Sequence, residues 1–240
     1  VVVAVIDSGV DYNHPDLSAN ILRNGIGQVV GFDYYDNDAD PMDEHNHGTH
    51  CSGTIGAVGN NNLGVIGVCP NVKIMPMRFL GPSNSGSTSG AIQCIDFARQ
   101  NGADILSNSW GGGSFSQLLL EAIQRARDEN ILVVFSAGNN SRDVTLSPQY
   151  PASLGRLSDN IVSVAANTNR DLPARFTNFA VDSVDITAPG MQILSTIRNN
   201  SYDYFSGTSM AAPHVSGTAA LILSQFPGLT YRQVKHRLLG

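Results

Sequence analysis

A serine able to attack a carbonyl stands in the run Phe205-Ser206-Gly207-Thr208-Ser209-Met210-Ala211-Ala212-Pro213-His214. The Gly-containing turn opens a segment, Ser209 to Gln225, that is apolar or small nearly all round, as expected of a buried helix. At a helix start, backbone N–H groups and the positive end of the helix dipole can stabilise developing negative charge. The same position also suits a simple capping Ser or Thr, so Ser209 gains chemical meaning only with a base. His47, in Asn46-His47-Gly48-Thr49-His50-Cys51-Ser52-Gly53, is the candidate, and the small Gly48 and Gly53 would let this segment pack closely on the serine helix. The base needs a buried acceptor to fix its tautomer, and Asp7 ends a very apolar strand. A carboxylate that follows five apolar residues must find a partner or shift its pKa. Taken singly, these two are also an ordinary structural histidine and a strand-end turn aspartate; together with Ser209 they fill the three roles of nucleophilic acyl transfer.

The elements that must position them are legible as apolar runs closed by small residues: Val2 to Ile6, Lys73 to Leu80, Asp104 to Ser109, Ile131 to Ser136, Ile161 to Ala165 and Val184 to Ala188. These predict buried strands. Helical spacing separates several of them, clearest in Thr88 to Gln100 and Ser116 to Glu129. The alternation predicts an α/β fold, a mostly parallel sheet with helices on both faces. In such sheets functional residues collect beyond the carboxyl ends of strands. Asp7-Ser8-Gly9, Ser109-Trp110-Gly111-Gly112 and Ser136-Ala137-Gly138-Asn139 occupy three such ends.

Composition narrows the function. The 240 residues suit one domain, charged residues make up only 14%, and 24 glycines imply many tight turns. A net charge of -6 without any Lys/Arg cluster leaves nothing to neutralise a phosphate backbone or an anionic membrane, so neither nucleic acid nor membrane is an expected partner. Three cysteines, Cys51, Cys69 and Cys94, fit neither a disulfide framework nor a four-cysteine zinc site. His47 and His50 could share a helix face as metal ligands, but the His-Glu-x-x-His pattern that would supply a base is missing. The start on a strand-like run at Val1 is expected of a catalytic domain, residues 1–240, cut from a longer chain without its signal and pro-segments.

Val5-Ile6-Asp7-Ser8-Gly9-Val10-Asp11, His47-Gly48-Thr49-His50 and Gly207-Thr208-Ser209-Met210-Ala211-Ala212-Pro213-His214 resemble the three signature blocks of the subtilisin-like serine proteases, in that family's Asp, His, Ser order. The resemblance covers nearly the whole chain. It implies the subtilisin-like three-layer fold and endopeptidase activity through an acyl-enzyme: Ser209 nucleophile, His47 general base, Asp7 orienting carboxylate, with His50 and His214 non-catalytic. Asn139, in Phe135-Ser136-Ala137-Gly138-Asn139-Asn140, matches the family's oxyanion donor. It also heads an Asn-x-Ser glycosylation sequon, where a sugar would block that role. Ser109, Trp110 and Gly111 with Ser136, Ala137 and Gly138 are implied to flank the pocket and to hydrogen-bond an extended peptide. Cys51, directly after the histidine block, is expected to be a buried free thiol, as in the family's thiol-containing branch. Polypeptide substrates, an inhibitory pro-segment of its own, a monomeric state and a secreted or secretory-pathway location follow from the same resemblance.

Asp33, Asp36, Asp38, Asp40 and Asp43 crowd one loop, where mutual repulsion would favour a hard cation. Asp36, Asp38 and Asp40 imitate an EF-hand start, but Pro41 and His47 stand where its Gly and Glu belong. The loop more closely resembles a calcium loop of thermostable subtilases, with Asp33, Asp36 and Asp38 as side-chain ligands. A second structural Ca2+ site is implied by Asp16 and the loop Gly59-Asn60-Asn61-Asn62-Leu63-Gly64-Val65, Asn61 included.

Overall fold

The computed structural model describes all residues 1–240. Seven strands form one parallel sheet: β1 Val2–Asp7, β2 Phe32–Asp33, β3 Lys73–Arg78, β4 Ile105–Asn108, β5 Leu132–Ser136, β6 Ile161–Asn167 and β7 Ile186–Pro189, in the order β2-β3-β1-β4-β5-β6-β7. Strand β1 lies inside the sheet because its side chains are apolar on both faces. Val3 and Val5 enter one core with Cys51, Ile55, Met210 and Ala211, whereas Ala4 and Ile6 enter the other with Ala91, Ile95, Leu119 and Ile123. The first core lies under helices α1 (His47–Gly56), α4 (Thr208–Gln225) and α5 (Tyr231–Leu239), the second under α2 (Thr88–Gln100) and α3 (Gln117–Asp128). This is the expected three-layer α/β fold. No helix is long and apolar enough to cross a membrane.

Helix starts follow local chemistry. Ser87 accepts from Gly90 N–H at 3.0 Å to cap α2, and Ser116 accepts from Leu119 N–H at 3.3 Å to cap α3. Several elements have no counterpart in the predicted runs, α1 among them. Strand β2 has only two residues. A hairpin, β8 Ile193–Ile197 and β9 Ser201–Phe205, closes on the pair Ile197 and Ser201 and turns through Arg198, Asn199 and Asn200, the two asparagines at left-handed φ values of 62° and 56°. Helix α5 begins with a capping box, the Thr230 side chain accepting from Gln233 N–H while Gln233 reaches back to Thr230 N–H. The Asn-Asn pair and the Thr-x-x-Gln spacing were the available signals for both.

Chain order creates the site. After β1 the chain builds β2 and β3 on one side, then returns to place β4 on the other, so the topology switches direction at the carboxyl end of β1. Asp7 is the last residue of β1, Ser109 follows β4, Ser136 ends β5, and His47 and Ser209 lie in the first turns of α1 and α4.

Candidate active site

Asp7 is fully buried, and its Oδ1 accepts from His47 Nδ1 at 2.8 Å and from Ser8 N–H at 2.7 Å. The first bond fixes the imidazole tautomer with the proton on Nδ1 and leaves Nε2 to accept from the cleft. His47 can come this close because the next residue is Gly48. A Cβ there would collide with the Gly9 carbonyl and lie 3.2 Å from Asp7 Cβ. The sequence reading placed Gly48 and Gly53 against the serine helix; instead Gly48 meets the end of β1, and Gly53 meets Ser195 and Thr196 of β8. Burial alone would lower the His47 pKa. The Asp7 carboxylate, through charge and hydrogen bond, and Asp43 behind it outweigh burial and hold it above the ordinary histidine value.

Ser209 is the second residue of α4, and its hydroxyl donates to the Ser109 carbonyl at 2.9 Å. In this arrangement the proton faces the Ser109 carbonyl rather than His47, so transfer to His47 would require the Oγ–H to turn from one acceptor to the other. The Ser209 carbonyl is also unusual. Four residues on, where an α-helix would supply the N–H for it, stands Pro213, which has none. Ser109 Oγ donates to that carbonyl at 2.9 Å, and Cys51 Sγ at 3.5 Å. Ser109, just after β4, and Cys51 of α1 thereby hold the backbone of Ser209.

Asn139 completes the arrangement. Its Oδ1 accepts from Thr208 N–H at 2.8 Å and Thr208 Oγ1 at 2.9 Å, which fixes the amide orientation and leaves Nδ2 as a donor. No side chain of α4's own N-terminal residues caps it, so Asn139 supplies the cap from β5's end. A Cβ added at Gly207 would lie 3.6 Å from both Asn139 Nδ2 and Ser209 N, so the two donors border one small space. Thr208 Oγ1 in turn accepts from Gly138 N–H at 3.1 Å. Gly138 needs to be glycine: its φ is +102°, and a Cβ would strike the Asn178 amide.

A cleft of about 320 Å³ brings His47, Ser209 and Asn139 together with Ser109, Trp110, Gly111, Ser136 and Gly138. Ala137 lies beneath that surface, fully buried, its carbonyl accepting from Asn178 Nδ2 at 2.9 Å. Leu80, Asn84 and Gln149 also line the cleft. They come from loops remote in sequence and carry no motif that would have singled them out.

A model described as the subtilase family matches residues 1–240 throughout. The chain belongs to the subtilase family. It is 42% identical over 223 residues to a thermophilic serine proteinase of Bacillus sp. (strain AK1), covering 93% of this chain and 52% of the relative. To subtilisin-like protease 1 of Plasmodium berghei (strain Anka) it is 37% identical over 263 residues, covering 97% and 44%. The chain thus spans about half the length of these curated relatives. A solved structure, of a cold adapted subtilisin-like serine proteinase, superposes with a TM-score of 0.85 at 37% identity, covering 98% of this chain and 79% of that one.

In this subtilase His50 is structural. Its Nε2 faces the Ile193 carbonyl at 2.9 Å and the Asp203 carbonyl at 3.2 Å, its ring stacks on Phe205, and burial drives its pKa down to about 4. His47 and His50 therefore direct their nitrogens to different neighbours and form no shared metal face. Cys51 is buried and free, and burial, then the nearby Asp7 charge, pushes its thiol well above the ordinary range.

The two acidic places differ in their fitness for calcium. Asp16 is fully buried, and its partners are all neutral donors: Asn61 Nδ2 at 2.7 Å on Oδ1, with Val65 N–H and Tyr202 Oη at 3.1 Å on Oδ2. Burial and this carboxylate push the Tyr202 hydroxyl up to about 12. A buried anion without a counter-charge, beside an amide whose oxygen could turn toward it, fits a hard cation. In the Asp33 loop an arginine stands among the carboxylates. Arg78 Nη1 lies 2.7 Å from Asp33 Oδ2 and 3.1 Å from Asp36 Oδ2, while Asp38 Oδ1 accepts from Asp40 N–H at 2.9 Å.

Proposed function

We propose that the chain is a serine endopeptidase that cleaves polypeptides through an acyl-enzyme. The observation that supports this most is the Asp7–His47 bond at 2.8 Å opening into a cleft that also holds Ser209 and Asn139. His47 Nε2 takes the Ser209 proton as Oγ bonds to the scissile carbonyl carbon. Asn139 Nδ2 and the Ser209 N–H stabilise the oxyanion, and Asp7 stabilises the imidazolium. The imidazolium then protonates the leaving amine. Water attacks the acyl ester by the same route in reverse, restoring Ser209. Ser109, Trp110, Gly111, Ser136 and Gly138 receive the extended peptide along the cleft walls.

Structural Ca2+ belongs at Asp16 and Asn61 in this reading, whereas the loop of Asp33, Asp36 and Asp38 keeps Arg78 as its cation. The same cleft suits an inhibitory pro-segment of the protein's own chain, and a monomer on the secretory route accords with the subtilase family. Incubation with a serine-directed fluorophosphonate, followed by mapping of the adduct, tests the mechanism. The expected adduct is on Ser209, with turnover lost in Ser209→Ala; labelling elsewhere, or full activity in that variant, would reject it.

A further inference from the structure

Asp43, from the crowded acidic loop, points inward rather than to solvent and is fully buried. Five donors converge on it. Oδ1 accepts from Ser8 Oγ at 2.9 Å, His45 N–H at 2.8 Å and Asn46 N–H at 3.0 Å; Oδ2 accepts from Thr49 N–H at 3.0 Å and Thr49 Oγ1 at 2.6 Å. Helix α1 has no cap from its own N-cap residue, because Asn46 sits at φ 100° with no side-chain bond to the helix. Asp43 takes the cap's place by binding N–H groups on both sides of His47.

Its other partner reaches β1. Ser8 Oγ, which donates to Asp43, accepts from Gly48 N–H at 2.9 Å, and Thr49 Oγ1, which also donates to Asp43, accepts from Asp11 N–H at 2.9 Å. Ser8 follows Asp7 and Gly48 follows His47, so one carboxylate clamps the sequence neighbours of both. We propose that Asp43 is a positioning residue of the peptidase reaction, clamping the start of α1 to the end of β1 so that His47 is held on Asp7.

This assignment rests on the reading of His47 as general base. Its charge adds a second signature. Of the titratable groups around His47, Asp7 stands on β1, Asp43 and His45 on the loop before α1, and His50 and Cys51 on α1 itself. Only Asp7 and Asp43 favour the imidazolium.

Asp43→Asn is nearly isosteric but has one acceptor oxygen, so either the three Oδ1 donors or the two Oδ2 donors meet an amide N–H2. The expected result is a fall in kcat of about tenfold with KM little changed, since a displaced base loses turnover rather than binding. The acid limb of kcat/KM should also move to lower pH, which a purely structural loss would not cause. Ser8→Ala severs the link to Gly48 yet keeps the carboxylate, so kcat should fall with the acid limb unmoved. A folded Asp43→Asn variant with kcat within about twofold of the parent and an unmoved acid limb overturns the assignment. Should that variant fail to fold, Ser8→Ala decides: a fall in kcat supports the clamp and an unchanged kcat overturns it. Fluorophosphonate labelling of Ser209 in the parent protein, run alongside, separates failure of this assignment from failure of the peptidase reading.

Discussion

The backbone of Ser209 offers a quantitative test. Because Pro213 supplies no N–H, the Ser209 carbonyl depends on Ser109 Oγ at 2.9 Å and the weaker Cys51 Sγ at 3.5 Å. Removing the hydroxyl in Ser109→Ala leaves a carbonyl in the interior with only the thiol, a loss of about 1–3 kcal/mol. For a chain of this length each kcal/mol lowers Tm by about 2–4 °C. Melts are best recorded in a Ser209→Ala background, which retains the carbonyl and prevents self-digestion. The decisive step is to repeat the substitution with Pro213→Ala, which restores the helical N–H. There the Ser109→Ala penalty should shrink by about 1 kcal/mol, a coupling between residues that serve the same acceptor. Equal penalties in the two backgrounds would refute the reasoning, since Ser109 would then be stabilising something other than the carbonyl freed by proline.

Three further outcomes are expected. His47 must be neutral to act as base and its pKa is held above the ordinary 6.5, so kcat/KM should fall as pH drops, with its acid midpoint above pH 6.5; a midpoint below that value contradicts the dominance of Asp7 over burial. Asn139→Ala should lower kcat by about 10²–10³ with little change in KM, the magnitude known for the oxyanion donor of a subtilisin, and steady-state kinetics with a peptide substrate will measure it. Chelation should lower the Tm of the parent protein, while Asp16→Asn should start less stable and respond little; equal responses would place the cation elsewhere.

Much was legible before any coordinates because the chemistry concentrates in short blocks. Asp7, His47, Ser209 and Asn139 each lie within two residues of a glycine, at Gly9, Gly48, Gly207 and Gly138, where backbone can approach closely, and these demands show in a few consecutive letters. The strand runs were equally visible, since a strand buried on both faces must be apolar throughout. Local sequence did not reveal what depends on distant partners. Asp43 looked like one more carboxylate in a cation-binding loop, and Arg78, 35 positions away along the chain, looked like the end of a strand. Only folding turned Asp43 toward Ser8 and Thr49 and inserted Arg78 between Asp33 and Asp36. The role of Pro213 was likewise hidden, because the hydroxyl that replaces its missing N–H comes from Ser109, just after β4 and about a hundred positions away along the chain.

By itself, then, the sequence determined the parallel α/β layering and the subtilase family and named the candidate reacting groups, all of which are written in residue type and short-range spacing. Tertiary structure alone decided which acidic groups are paired, which are clamps and which lack a counter-charge. Charge and hydrogen-bond satisfaction are properties of neighbours in space, and the neighbours here come from different layers of the fold.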